Sequence, residues 1–215
     1  LPELAANTLE EFLGSYMRRR FGASQARLAE LVPAAARMAL ECIGNSDALY
    51  HNVEHTLLVT LAGHDILRGW AIHNQMTADH YAHVIMACLT HDIGYVRGIL
   101  KDDGADGFVI DATGAKVSLP RGSSDASLMS HHVDRSKLYV MERIVAPFDK
   151  QRIIDAIEGT RFPPDPGQVH GEEAAILRAA DFIGQLGDPN YIRKANALFY
   201  EFEEVGMNRQ LCYDS

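Results

Sequence analysis

The chain has 215 residues, 47% of them hydrophobic, and a net charge of −9 from 20 basic and 29 acidic residues. That length and apolar content suit one domain with a sizeable core and exclude a disordered chain. The acidic balance argues against a broad nucleic-acid-binding face, and no apolar run approaches the roughly 18 residues that a bilayer crossing needs. Cys42, Cys88 and Cys212 are far apart and form no CxxC pair, so neither a disulfide framework nor a thiolate zinc site is expected. No signal-peptide pattern opens the chain, which begins at Leu1 rather than methionine, as an excised or processed piece would. A reducing cytoplasm is the expected setting.

Periodicity predicts a mostly helical protein. Leu9, Phe12, Leu13 and Tyr16 share one face of a first helix that runs to Phe21 and ends on Arg18-Arg19-Arg20. A second is expected from Ser24 to Ile43, with Pro33 as a kink or break. Ser46 or Asp47 is expected to cap a third, which carries Tyr50 to Trp70, and Thr77 a fourth, which ends near Ile93-Gly94. Residues 96–122 are rich in glycine, and the alternation Phe108–Asp111 and Lys116–Leu119 predicts a small β-hairpin. A loop of that length is a natural active-site lid. Ser123 or Ser124 then opens a long helix to Ala146, and Asp149 a shorter one to Glu158. A Pro-rich loop covers Thr160–Gly167, and two final helices are expected over 171–187 and 190–205. The expected fold is an all-α helical bundle with a Gly-rich loop or hairpin excursion. N-terminal helices occupy 1–44, a core 45–188, and a C-terminal helix and tail 189–215, within a single compact domain.

Four polar residues interrupt apolar helical segments: His55, His91, Asp92 and Asp181. Burying two imidazoles and two carboxylates is expensive unless something pairs with them, and a divalent cation takes both nitrogen and oxygen ligands. Zn, Mn, Fe(II) or, with waters, Mg suits such a set. His51 and His55 stand four apart, which on a helix puts them one turn apart on one face.

The order H…HD…D resembles the HD superfamily of metal-dependent phosphohydrolases, an all-α fold. The stretch Tyr50-His51-Asn52-x-x-His55-Thr56-x-x-Val59 is similar to the YHNxxHAxxV signature of cyclic-nucleotide phosphodiesterases. The resemblance runs from about Tyr50 to Asp188. It implies that His55, His91, Asp92 and Asp181 ligate a first metal, that Asp92 bridges to a second, and that His51 is the general acid. Tyr95 stands where the phosphodiesterases carry a second histidine and the HD-GYP hydrolases a lysine, and Val96-Arg97-Gly98 replaces the Pro-Gly that follows.

His131 and His132 fall where the superfamily places extra ligands, so a second metal or phosphate contact is expected from at least one; adjacent helical positions let only one face the site. Asn52, Tyr95 and Arg97 are candidate substrate contacts, with Asn52 equally suited to capping a helix. Lys101, Arg121 and Arg161 are weaker cationic candidates. His64 and His73 are expected at the surface or at its boundary with the core, His80 and His83 in structural roles, His170 at a helix start, and Glu201, Glu203 and Glu204 on an exposed acidic face. The expected function is hydrolysis of a phosphomonoester or phosphodiester, in particular of a nucleotide, by water activated on one or two divalent metal ions. The alternatives are a mixed-valent di-iron oxygenase, which needs six protein ligands, and a module that binds nucleotide or metal without turnover. The expected partner is that small phosphate ester, with no membrane, and a homo-oligomer is left open.

Overall fold

The computed structural model describes residues 2–164, 167 and 169–213. Helix α1 (Pro2–Phe21) buries Ala6, Leu9, Leu13 and Met17 against α2 (Ala26–Ile43), which is entered through a 3-10 turn at Ala23–Gln25. Helix α2 runs through Pro33 without a break. The proline is buried where Gly14 of α1 approaches, and a Cβ at Gly14 would lie 3.2 Å from its Cγ.

Helix α3 (Val53–Trp70) starts later than the sequence suggested. Asn52 caps it, its side-chain oxygen accepting the amides of Glu54 at 2.9 Å and His55 at 3.3 Å. His51 therefore lies in the irregular segment before the helix. Helix α4 (Ala78–Thr90) is capped by Thr77 as expected and is buried on nearly every face, which makes it the central helix. Small residues let its neighbours close in. A Cβ at Gly63 of α3 would meet the Cys88 Sγ of α4 at 2.7 Å. One at Gly184, in α7 (Glu172–Leu186), would meet the Val59 backbone of α3 at 2.9 Å.

The chain leaves α4 through a 3-10 turn at Ile93–Tyr95 into the predicted hairpin. Strands β1 (Phe108–Val109) and β2 (Lys116–Val117) pair antiparallel, Phe108 opposite Val117 and Val109 opposite Lys116. Gly114 takes the positive φ of 82° that the turn requires. The excursion is anchored by Arg135 of α5 (His132–Arg143), whose side chain is fully buried. Its guanidinium donates to the carbonyls of Gly94 at 2.7 Å, Val96 at 2.9 Å and Val109, and pairs with Asp103 at 2.9 Å. The long helix expected after Ser124 is split. Ser124 caps a 3-10 segment, Asp125–His131, and only then does α5 begin.

Gly94 allows the turn to sit directly on α5. A Cβ there would lie 2.0 Å from the His132 carbonyl oxygen, which is backbone and cannot swing aside. The Gly94 amide donates to Ser136 Oγ at 2.9 Å, and that hydroxyl donates to the His91 carbonyl at 2.6 Å. Gly94→Ala is expected to lose about 1–3 kcal/mol or more through overpacking, read by urea unfolding. A variant as stable as wild type would contradict this close approach.

Asp149 caps α6 (Lys150–Glu158) as expected. Helices α7, α8 (Tyr191–Glu204) and α9 (Met207–Leu211) complete the chain; α9 was not foreseen. The predicted Pro-rich loop at 160–167 falls partly outside the described residues. The fold is all-α with one small hairpin, as the sequence predicts. Among the described residues no helix is long and apolar enough to cross a membrane.

Candidate metal centre

Three helices deliver the four polar residues. His55 sits in the first turn of α3, His91 caps the C-terminus of α4 with Asp92 next to it, and Asp181 lies on α7. His55, His91 and Asp181 each offer a ligand atom, and these atoms lie within 4.8 Å of one another. The Nε2 of His55 is 3.3 Å from Asp181 Oδ1 and 3.2 Å from Asp92 Oδ2, while His91 Nε2 is 3.0 Å from the same Asp92 oxygen. Nδ1 of His91 is held 2.9 Å from the Cys88 carbonyl, which makes it the donor and leaves Nε2 as an acceptor facing the cluster.

These contacts do not satisfy one another. Both ring nitrogens of His55, His91 Nε2 and Asp92 Oδ2 are buried without a hydrogen-bond partner. Burial alone would push the His55 imidazole down, but Asp181 and Asp92 raise it to about 10. Asp92 and Asp181 are held below the usual carboxylate range: burial opposes this, the nearby histidines outweigh it. Orphaned, buried nitrogen and oxygen atoms that converge are the donor set of a divalent cation, so the residues fit such a group.

A second layer adjoins this cluster. His132 Nε2 lies 3.6 Å from Asp92 Oδ1, the oxygen that turns away from His91. Its Nδ1 is 2.6 Å from the Met129 carbonyl, and burial lowers its proton affinity while Asp92 opposes that. Tyr95 stacks on both His51 and His132, its ring centroid 4.4 Å from one and 4.5 Å from the other, both nearly parallel.

His51 approaches His55 without the shared helix that the spacing suggested, at 5.5 Å between ring centroids. It is positioned by Glu201 of α8. The Glu201 carboxylate lies 2.5 Å from His51 Nδ1 and accepts the amides of Tyr50 at 2.6 Å and His51 at 3.3 Å. Burial would raise the Glu201 carboxyl, yet the His51 contact and these amides hold it below its ordinary value. This corrects the exposed acidic face expected of Glu201. Glu204 is likewise engaged, accepting from Ser124 and Ser127. The signal available in the sequence was a carboxylate at i+3 from Leu198, beside the apolar stripe of α8.

Other candidates fall elsewhere. Arg97 pairs with Asp47 and Asp125 and does not line the cavity at the centre. Asn52 is occupied as the cap of α3, its amide donating to the Leu49 carbonyl. His131 lies outside the cavity lining; of the pair, only His132 reaches the centre. His64, expected at the surface or its boundary, is buried and contacts the Tyr81 hydroxyl at 2.8 Å.

A cavity of about 670 Å³ opens on the centre. Among the described residues its walls come from Tyr50 and His51, from Met129, Ser130, His132 and Val133, from the 160–163 loop and from helices α7, α8 and α9, with no contribution from 96–122. The expected lid is thus misassigned: Arg135 pins the Gly-rich excursion to α5, and the C-terminal helices cover the site instead.

The chain matches the Npun_R2479-like family over residues 2–215. It belongs to that family. No curated protein and no solved structure matches it. In this member of the Npun_R2479-like family the match extends through α8 and α9, the helices that supply Glu201 and the cavity wall.

Proposed function

We propose that this protein is a metal-dependent phosphohydrolase of the HD type, cleaving a phosphomonoester or phosphodiester, in particular of a nucleotide. One observation carries the reading: the orphaned atoms of His55, His91 and Asp92 converge, with Asp181, at the foot of an open cavity. A bound divalent ion would supply a water acidified for attack and charge stabilisation at a phosphoryl oxygen. His55, His91, Asp92 and Asp181 would hold that ion. Asp92 faces His132 with its second oxygen, which suits a second ion there.

His51 lines the cavity next to the centre and is the group placed to protonate the leaving oxygen. Glu201 fixes its ring through Nδ1, so Nε2 is the atom left to move the proton. Tyr95 holds the ring plane from the other side. The di-iron alternative calls for six protein ligands; His55, His91, Asp92, Asp181 and His132 converge here among the described residues, with His51 beside them but tied to Glu201 through Nδ1.

The test is chelator-treated protein recharged in turn with Mn, Mg, Zn or Fe(II) and offered a panel of nucleotides and model phosphoesters. Turnover that depends on the added ion is expected; no cleavage with any ion overturns the proposal. His51→Ala is expected to slow esters of poor leaving groups by about 10²-fold or more and p-nitrophenyl esters much less. Equal losses on both would remove His51 from the acid role.

A further inference from the structure

Helix α8 is built in an unusual way. Among the described residues its single buried side chain is Glu201, a carboxylate, while its apolar stripe of Ala195, Leu198, Phe199 and Phe202 faces the cavity. Apolar helix stripes ordinarily pack on protein. This helix is held by polar straps instead. Glu201 binds the Tyr50 and His51 amides, Glu204 binds Ser124 and Ser127, and Lys194 pairs with Glu54 at 2.8 Å and with Asp188. The stripe is left for something else to cover.

Phe182 of α7 contributes another ring to the lining, and Arg178 lies one turn before Asp181 on the same helix. Two arginines line the cavity. Arg161 is committed to Asp134 at 2.8 Å and Glu158 at 2.5 Å. Arg178 makes no ion pair among the described residues; its guanidinium rests 5.8 Å from the Phe182 ring centroid. A free cation beside a metal-ligand set complements an anion, and a cavity of about 670 Å³ is the size of sites for nucleotide-sized ligands.

We infer that the ligand of this centre carries a planar apolar group seated against Phe182 and the α8 stripe, with an anionic group met by Arg178. The inference rests on the phosphohydrolase reading for the identity of the anion as phosphoryl, not for the apolar seat. Asn208, buried on the same cavity, bears on the kind of ring. Its amide nitrogen donates to the Phe199 carbonyl and to Glu203, which leaves its oxygen without a partner. An N–H donor on the ring, such as the exocyclic amine of adenine, would satisfy that oxygen; a hydrocarbon ring would not.

The experiment is calorimetric titration of chelator-treated and metal-loaded protein with methyl-, phenyl- and 1-naphthylphosphonate. Affinity is expected to rise at least ~10-fold from the methyl to the naphthyl member in both forms, the increment that burying a ring supplies. The Phe199→Ala/Phe202→Ala double variant, shown folded by circular dichroism, should flatten the series. Arg178→Gln should weaken all three members alike, by about 10-fold. A flat series in both forms of the wild type overturns the inference, and this arm needs no variant. A steep series without any gain from metal leaves the apolar seat standing and counts against the hydrolase reading instead. Displacement of the naphthyl probe by adenosine marks a nucleobase and displacement by 1-naphthylmethanol alone a hydrocarbon ring; displacement by neither overturns the seat.

Discussion

Asp92→Asn is expected to lose metal retention, with affinity falling about 10²-fold or more while the helical content stays intact. Asp92 is the hub of the centre: one oxygen lies 3.0 Å from His91 Nε2 and 3.2 Å from His55 Nε2, and the other 3.6 Å from His132 Nε2. Asparagine keeps the shape but removes the charge and points an amide donor at one of these groups. Loss of an outer partner of a metal ligand typically costs 10–100-fold in affinity, and a ligand itself counts for more. One effect opposes this. Asp92 is among the groups that raise the His55 imidazole, so removing its charge lessens the proton that a cation must displace. The loss of a ligand outweighs it, because Asp181 still faces His55 at 3.3 Å and sustains much of that proton affinity. Metal content after dialysis decides the matter; a variant that retains its ion like wild type removes Asp92 from the ligand set.

Arg135→Met is expected to destabilise the protein by about 3–5 kcal/mol, the largest effect on stability among these substitutions. The variant leaves Asp103 as a buried carboxylate without its cation and strands the carbonyls of Gly94, Val96 and Val109. Against a typical total of about 5–15 kcal/mol, that threatens folding itself. Asp103→Asn should cost less, because the amide oxygen can still accept the Val109 amide, now at 2.9 Å from the carboxylate. Acid tells the two apart. Burial would raise the Asp103 carboxyl, but the Arg135 contact and the Leu100 and Val109 amides hold it below the ordinary 3.8. Its contribution is therefore complete above that value and is lost as pH falls through the lowered one. Wild type should shed this part of its stability in strong acid, and Asp103→Asn should not. Urea midpoints at neutral and acidic pH measure both, and an Arg135→Met variant within about 1 kcal/mol of wild type would mean that something else anchors the excursion.

Local signals made much of the fold legible. Thr77, Ser124 and Asp149 each cap the segment that follows, because a short polar side chain before an apolar-periodic run satisfies free amides wherever the helix then packs. The hairpin was legible from alternation around Gly114. The histidines and carboxylates of the centre were legible because charge inside an apolar helix is too costly to persist without a partner.

Composition and periodicity alone thus determined an all-α chain with one hairpin and singled out the four residues that meet. Tertiary structure decided the rest, since those features depend on partners distant in the chain. Nothing local to Glu201 says that it will reach His51, and nothing in the glycine-rich run says that a buried Arg135 will pin it away from the cavity. Asn52 stops α3 short of His51, so that histidine reaches the centre by the path of the chain and the Glu201 strap, not by helical spacing. The residues of a site can be read where burying them alone would be costly; which neighbours complete it is settled only when the helices pack.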